Sequence, residues 1–147
     1  MIRHAAIHDA PAVTAIVNAA YAVYIERIGQ KPGPMFDDYA RRIANGQVWV
    51  LEQDGEIAGI LVLEETADGF LLDNVALAPA YQHKGLGRRL LTFAEQEAAR
   101  RGWREIWLYT NAAMTENIGL YRRIGYQETD RVSEKGFERV YMTKQLG

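Results

Sequence analysis

The sequence has no cysteine among its 147 residues, and this absence excludes disulfide bonds, thiolate metal sites and a cysteine nucleophile. No apolar run approaches the roughly 20 residues that a membrane-spanning helix requires. Residues 1–20 alternate polar and apolar side chains and lack the pattern of a secretory signal. The formal net charge of −2 provides no positive excess for nucleic acid or an anionic membrane. We therefore expect a cytoplasmic protein that binds neither.

Histidine is scarce as well, and His4, His8 and His83 show no spacing typical of metal ligands, so we expect no metal site. The remaining composition is ordinary for a globular protein, with 48% hydrophobic and 24% charged residues. This length predicts a single domain over residues 1–147, large enough to bury its own core.

Hydrophobic periodicity and turn residues predict the element order β-α-α-β-β-β-α-β-α-β-β. The predicted strands cover residues 2–7, 48–53, 57–65, 70–77, 103–110, 126–132 and 137–143. The predicted helices cover residues 10–27 with Asp9 as N-cap, a stretch from Asp37 or Asp38 to about 46, residues 86–101 and about 115–123. Hairpins and a β-α-β crossover over 70–110 predict an α/β (or α+β) fold. We expect a mixed sheet of about six to seven strands with helices on both faces.

The most informative segment is Gln82-His83-Lys84-Gly85-Leu86-Gly87, between a predicted strand and a predicted helix. Its glycines lack the Cβ atoms that would keep an anion from the backbone. The first turn of the following helix has N–H groups without partners, and the helix dipole favours negative charge there. Lys84, Arg88 and Arg89 add positive charge. The segment therefore indicates a phosphate or pyrophosphate site, although glycines used only for a tight turn would give the same pattern.

Two familiar phosphate loops do not match this segment. A Walker A loop requires Lys and Ser or Thr after the second glycine, whereas Gly87 is followed by Arg88 and Arg89. A dinucleotide fingerprint requires a third glycine, and Leu90 stands in its place. The remaining pattern, Gln-x-x-Gly-x-Gly after a strand and a proline, resembles the acetyl-CoA pyrophosphate loop of the GNAT superfamily of N-acetyltransferases.

A second motif, Leu120-Tyr121-x-x-x-Gly125-Tyr126, is similar to a Leu-Tyr-x-x-x-Gly-Phe/Tyr segment of the same superfamily. The resemblance implies a sheet that splays between its fourth and fifth strands, here 70–77 and 104–110. The acetyl-CoA cosubstrate would enter this split and bind backbone groups of Val75, Ala76 and Leu77 like an added strand. Its pyrophosphate would meet backbone N–H groups of the loop, and these cofactor-binding residues are Gln82, His83, Lys84, Gly85, Leu86, Gly87 and Arg88.

The resemblance also implies catalytic roles. A primary amine would attack the acetyl group directly, through a tetrahedral intermediate, and Tyr121 would protonate the departing thiolate; packing beneath the cofactor is the alternative for Tyr121. Asn117, one helical turn earlier, would bind the pantetheine or orient the tyrosine. The family often has asparagine seven residues before the tyrosine, where this chain has Met114, so that Asn111 or Asn117 would substitute.

The general base is less determined by the sequence. Glu64, Glu65, Asp73 and Asn74 lie at strand ends that should border the cleft, and Glu64 is our predicted base, with a water relay as the alternative. Strand alternation predicts that Asp73 shares a face with Val75 and that Asn74 lies on the other face.

An acceptor pocket is expected from residues 21–39 and the hairpin at 126–140. Tyr24, Asp37 and Tyr39 are the predicted substrate-binding residues because aromatic and acidic groups suit a cationic amine; Tyr21, Glu26 and Asp38 are further candidates. Arg27 and Arg131 offer an alternative, the selection of a carboxylate-bearing substrate. Both readings describe an acetyltransferase acting on a small-molecule or peptide amine.

A protein N-terminal or lysine acetyltransferase and a non-catalytic acyl-CoA sensor remain alternatives. A homodimer is expected if Trp103, Trp107 and Phe137 exceed what one core can cover.

Overall fold

Seven strands form one mixed sheet in the computed structural model, which describes residues 1–147. Their order across the sheet is β1-β2-β3-β4-β5-β7-β6, and every neighbouring pair is antiparallel except β4 and β5. The strands are β1 (Ile2–His4), β2 (Val48–Gln53), β3 (Glu56–Thr66), β4 (Gly69–Leu77), β5 (Glu105–Asn111), β6 (Gln127–Glu134) and β7 (Phe137–Gln145). The predicted mixed sheet of six to seven strands is confirmed.

Helices pack on both faces of the sheet, as predicted. They are α1 (Ala10–Ala22), α2 (Ile25–Ile28), α3 (Tyr39–Ala44), α4 (Leu86–Arg100) and α5 (Thr115–Arg123), with 3-10 turns at Ile7–Asp9, Gly33–Phe36 and Pro79–Tyr81. One core lies between the sheet and α4 and α5, and it includes Leu90, Ile106 and Tyr126. The other lies between α1, α3 and strands β2 to β4, and it includes Val17 and Ile60. None of the helices combines the length and apolar character needed to cross a membrane.

The sheet opens between β4 and β5. These parallel strands are paired only at Phe70 with Ile106 and Leu71 with Trp107. Beyond Leu71, β4 keeps its β3 partners as far as Leu77, opposite Gly59, but has no partner on its β5 side. The two strands therefore diverge toward their carboxyl ends. The resemblance implied this splay at this position, and the structure confirms it.

A β-bulge interrupts β4 beside the opening. Asn74 pairs with Val62 and Leu72 pairs with Leu63, so that Asp73 is an extra residue with no partner on β3. A bulge shifts the alternation of side chains by one position. Asp73 forms an ion pair with Arg42 of α3, and Asn74 donates to Tyr39, so both contact the α1–α3 face. The prediction that Asp73 shares the face of Val75 is wrong for this reason.

The N-terminal segment differs from its prediction in two places. The predicted first strand ends early, at His4, and the predicted helix over 10–27 is interrupted after Ala22. The Asp9 carboxylate does not cap α1; it accepts from the N–H of Ala6, at 2.8 Å, and pairs with Arg3. By contrast, Asp38 caps α3 by accepting from the N–H of Arg41, as one of the two predicted starts required.

Candidate functional site

A cavity of about 160 Å³ occupies the opening between β4 and β5. The 3-10 turn that precedes α3, the ends of both strands, α5 and the start of β7 enclose it. Its polar and charged lining consists of Tyr21, Asp37, Arg42, Asp73, Asn74, Tyr109, Thr110, Asn111, Asn117, Tyr121 and Arg139. A split sheet thus brings together side chains that are distant in sequence, and both acidic and basic groups are among them.

Asp73 is the buried acid of this cavity. Its side chain is 11% exposed, and its contact with a cation is at 3.4 Å, between Oδ2 and Nη2 of Arg42. Burial raises the pKa of Asp73 to about 6, because the attraction of Arg42 only partly offsets the loss of hydration and the repulsion from Asp37 and Glu64. A carboxyl group with this pKa changes protonation near neutral pH, as a general base requires.

Arg42 is shared among several acceptors. Its Nε donates to Asp37 at 2.9 Å, and its Nη1 donates to Glu64 at 3.3 Å and to Gln47 at 3.1 Å. Together with the contact to Asp73, these interactions occupy every nitrogen of the guanidinium. The group therefore holds the acidic side of the cavity together and has little capacity for a further ligand.

A chain of hydrogen bonds fixes the residue next to the bulge. The hydroxyl of Tyr21 donates to Asn74 Oδ1 at 2.7 Å, and Asn74 Nδ2 donates to the hydroxyl of Tyr39 at 3.0 Å. Tyr39 in turn donates to the carbonyl of Pro34 at 2.6 Å. This chain ties β4 to α1 and to the turn before α3, so it fixes the width of the cavity on that side.

Tyr121 lies on the opposite wall, on α5. It is mostly buried and packs edge-on against Tyr126, with ring centroids 5.6 Å apart. Burial raises the pKa of Tyr121 to about 12, so the hydroxyl stays protonated at neutral pH and is able to donate. The structure thus places a hydroxyl donor and a buried carboxyl group on two sides of one cavity.

Three residues around the start of α5 decide which side chain could replace the asparagine that the family often has at the position of Met114. Met114 is buried at the N-terminal end of the helix and lines the cavity. Asn117 also lines the cavity and lies with its Nδ2 3.8 Å from the Met114 sulfur. Asn111 lines it too, but its Oδ1 accepts from the N–H of Ala113 at 2.9 Å. Asn117 is therefore the better placed of the two to offer an amide to a ligand.

The glycine loop presents a row of unpaired backbone donors. No N–H group from His83 to Arg88 makes a backbone hydrogen bond, whereas Arg89 already bonds to the carbonyl of Gly85. His83 and Gly85 adopt positive φ angles of 64° and 80°, which curve the segment into the first turn of α4. Such a concave row at a helix N-terminus binds anions.

The glycines of this loop have different reasons for their presence. A Cβ on Gly85 would meet no heavy atom within 4 Å, so the space beside it is open and the positive φ is what disfavours other residues. A Cβ on Gly87 would lie 3.5 Å from Leu77 Cδ1, at ordinary contact distance. Gln82 donates to the carbonyl of Leu77 at 3.3 Å, and Lys84 lies over the ring of Tyr81 at 5.7 Å. Apart from Asn117 on α5, the predicted cofactor residues thus lie along the segment that leads from the end of β4 to the start of α4.

Several predicted residues are not brought to the cavity. Tyr24 lies under Arg27, whose guanidinium carbon is 5.2 Å from the ring centroid, and Arg27 pairs with Glu116 at 2.6 Å. Tyr39 is 2% exposed and serves the hydrogen-bond chain instead of lining the cavity. Glu64 contacts Arg42 but does not line the cavity.

The two arginines that the sequence offered for binding a substrate carboxylate, Arg27 and Arg131, also lie outside the cavity. Arg131 pairs with Glu128 on the exposed strand β6, at 2.9 Å. Of the predicted acceptor residues, Asp37 does line the cavity, beside Tyr21.

Sequence reasoning missed three lining residues, Arg42, Tyr109 and Arg139. Arg42 lies within a short helix that the sequence did predict, but nothing in its local pattern distinguishes it from Arg41. Tyr109 and Arg139 alternate with buried residues on β5 and β7. The only sequence signal for them was a polar side chain at an alternating position of a strand near the predicted split. His, Asp and Glu side chains form no group of three or more that could hold a metal ion.

Comparison with known proteins agrees with this architecture. The sequence profile of the acetyltransferase (GNAT) domain matches residues 44–128. The ribosomal protein bS18-alanine N-acetyltransferase of Escherichia coli (strain K12) is 36% identical over 78 residues, which are 53% of either chain. The uncharacterized N-acetyltransferase YjgM of that strain is 27% identical over 139 residues, or 88% of this chain and 83% of YjgM. The chain spans about half the length of the bS18-alanine relatives it matches.

Solved structures show the same fold over the whole chain. The ribosomal-protein-S18-alanine N-acetyltransferase of Escherichia coli superposes with a TM-score of 0.77 at 25% identity, over 100% of this chain and 94% of that one. The acetyltransferase yncA of Salmonella typhimurium, solved with acetyl-CoA, superposes with a TM-score of 0.74 at 23% identity, with the same coverage. Because the family profile covers more than half of the 147 residues, the protein belongs to the GNAT acetyltransferase family.

Proposed function

We propose that the protein transfers an acetyl group from acetyl-CoA to the primary amine of a small molecule or peptide. One observation carries this proposal: a cavity with a buried carboxyl group and a buried tyrosine opens beside a strand edge that leads to a row of free N–H groups. A thioester, an anion and an amine each have a suitable partner along this path.

The cosubstrate fits the residues that are present. The N–H row from His83 to Arg88 would hold the pyrophosphate, and the unpaired edge of β4 at Val75 to Leu77 would bind the pantetheine like an added strand. Asn117 would offer its amide from α5. Acetyl-CoA supplies the activated acetyl thioester when it is bound, and no metal is needed in this scheme.

Asp73 would remove the proton from the incoming amine. An alkylammonium has a pKa near ~10 in water, so a base must take its proton before the nitrogen can attack. Asp73 lines the cavity, and a pKa of about 6 makes it more basic than an ordinary carboxylate while leaving most of it ionised at neutral pH. Glu64, the base that we predicted from the sequence, faces Arg42 from outside the cavity, so a direct role would require a water relay.

Tyr121 would supply a proton on the other side. As nitrogen bonds to the acetyl carbon and the carbon–sulfur bond breaks, the sulfur gains charge, and the hydroxyl of Tyr121 would protonate it. Asp73 would take one proton from the ammonium before attack and later release it to water. The nitrogen would lose its second proton as the intermediate collapses, and this proton would restore Tyr121 through water. The products are the N-acetyl amine, the free thiol of CoA and one proton.

The runner-up is acetylation of a protein N-terminus, because the 36% identical relatives are named bS18-alanine N-acetyltransferases. A peptide would have to enter between the turn at 33–36 and the β6–β7 hairpin. An alanine-initiated peptide therefore belongs in the substrate panel beside small amines.

Thiol release from acetyl-CoA, measured with and without each amine, tests the proposal, with mass spectrometry to identify the acetylated product. We expect amine-dependent release of one thiol per product. Tight binding of acetyl-CoA without release above the uncatalysed rate, for every amine in the panel, would instead establish the non-catalytic binding module.

A further inference from the structure

We propose that the acceptor carries a carboxylate as well as its amine, and that Arg139 binds this carboxylate in the cavity. This inference rests on the proposed acetyl transfer. It narrows the acceptor to amino acid-like amines and assigns Arg139 as a specificity-determining residue.

Arg139 is held in a fixed position at the cavity. It lies on β7 opposite Asn111 of β5, and its side chain is only 16% exposed. The guanidinium carbon is 4.6 Å from the ring centroid of Tyr109 and 5.5 Å from that of Phe137. A Cβ on Gly33 would lie 4.0 Å from Nη2, so the group reaches across to the turn before α3. Stacking on two rings limits its rotation and leaves the edge of the fork available.

The hydrogen-bonding capacity of Arg139 is only partly used. Nη1 donates to Glu134 Oε1 at 3.0 Å, and the hydroxyl of Tyr141 lies close enough to the guanidinium to raise its pKa. Nε and Nη2 make no well-aligned hydrogen bond within 3.5 Å to a protein acceptor. Glu134 does not line the cavity, and it also accepts a hydrogen bond from the hydroxyl of Tyr141. Arg42, the other arginine of the cavity, has all of its nitrogens occupied. A ligand carboxylate would therefore find free donors at Arg139 alone of the two.

The charges of the cavity are arranged to match a zwitterion. Asp37 and Asp73 lie on the side of α3 and β4, and Arg139 lies on the side of β7. Arg139 also lowers the pKa of Asp73, although less than Arg42 does, so the two groups act within one electrostatic field. An amine held near Asp73 and a carboxylate held by Arg139 would each meet the opposite charge. A polyamine would place a second cation against Arg139.

Matched acceptors that differ only at the carboxylate provide the test. Each α-amino acid in the panel is compared with its amide and with the decarboxylated amine, and kcat and KM are measured for the parent and for Arg139→Gln. We expect Arg139→Gln to lower kcat/KM for the carboxylate-bearing acceptors by roughly 10- to 100-fold, mainly through KM, since charge-assisted hydrogen bonds have this magnitude. The same substitution removes a charge near Asp73, so it should also change kcat/KM for the amides and amines, but by a clearly smaller factor than for the carboxylate-bearing acceptors.

Two further variants separate recognition from folding. Glu134→Gln removes the ion pair of Arg139 but keeps the guanidinium, so preference for the carboxylate should persist. Arg139→Lys keeps the charge and loses the fork, so it should give an intermediate preference, and it carries the test if Arg139→Gln does not fold by circular dichroism. Equal kcat/KM for acids and amides in the parent, or equal losses for both in the Arg139 variants, would overturn the inference while acetyl transfer stands. Absence of acetyl transfer to any amine would overturn the proposed function and this inference with it.

Discussion

Replacing Asp73 with asparagine should separate catalysis from stability at one position. The substitution keeps the size of the side chain and removes its ability to accept a proton. Arg42 retains Asp37 and Glu64 as partners, so it is not left unpaired. We expect the variant to fold and to lose most of its activity.

The expected loss of rate follows from the role of a general base, whose removal typically costs about 10²- to 10⁴-fold. The parent should also show a break in the pH dependence of kcat/KM near pH 6, because Asp73 must be ionised to act and its pKa is about 6. Activity should rise with pH through this break. The asparagine variant should lack it, leaving only the dependence that the amine itself imposes.

The contribution of Asp73 to stability should fall as pH rises, whereas activity should rise. In the folded protein Asp73 holds its proton up to about pH 6, whereas in the unfolded chain its pKa has the ordinary value of 3.8. Between these values the folded state binds more protons, so the free energy of unfolding falls as pH rises. A shift of this size corresponds to about 3 kcal/mol at ~1.4 kcal/mol per pKa unit. Asp73→Asn should match the parent in stability near pH 4 and exceed it by up to this amount near pH 8.

Urea unfolding at pH 4 and pH 8, together with steady-state rates over the same range, measures both effects. Glu64→Gln is the matched control, because Glu64 contacts the same arginine without lining the cavity. It should keep the break, moved slightly to lower pH because the repulsion of Asp73 by Glu64 is lost, and a rate within a few-fold of the parent. If Glu64→Gln abolishes the break and Asp73→Asn does not, the base is Glu64 and the reasoning from burial is refuted.

Three further outcomes are expected. Tyr121→Phe keeps the packing against Tyr126 and should lower kcat by about 10²-fold or more with little change in acetyl-CoA affinity; a parent rate with chemistry shown to be rate-limiting would exclude the acid role. Gly85→Val should weaken CoA binding in calorimetric titration far more than Gly102→Val. The control imposes a similar strain at the other end of α4, because φ is 80° at Gly85 and 87° at Gly102. Equal losses of affinity would show that the loop does not bind CoA. Tyr39→Phe breaks the chain to Pro34 and Asn74 and should lower stability by about 1–3 kcal/mol in urea unfolding; no change would show the chain to be dispensable.

Much of the architecture could be predicted because local signals agreed with one another. Asp54-Gly55 and Asp68-Gly69, dipeptides typical of hairpin turns, separate β2 from β3 and β3 from β4. The predicted strand 48–53 and helix 115–123 coincide with those observed. The glycine loop was recognisable because backbone donors at a helix start follow from chain order alone. Its free N–H groups needed no information about distant residues.

The walls of the cavity were harder to predict because they depend on long-range register. The bulge at Asp73 has no sequence mark, since any residue can stand at the extra position, and it reversed the predicted face of that side chain. Arg139 reaches the cavity only because β7 lies beside β5, out of chain order. One argument for the expected homodimer is weakened, because Trp107 stacks on Tyr141 of the same chain, with ring centroids 6.1 Å apart. The dimer itself stays a prediction.

The short pairing between β4 and β5, at Phe70 and Leu71, is a pivot from which the two strands diverge. From that pivot to Leu77, the part of β4 that is unpaired on its β5 side extends roughly 20 Å, at ~3.3 Å per residue. A rotation of about 5° at the pivot would displace the far end by nearly 2 Å over this length. Asp73 lies two residues beyond Leu71, about 7 Å along the strand, so the same rotation would move it by roughly 0.6 Å relative to β5. Packing around Phe70, which is fully buried, therefore affects the spacing across the cavity. Substitutions at the pivot should be read as changes in catalytic geometry as well as in stability.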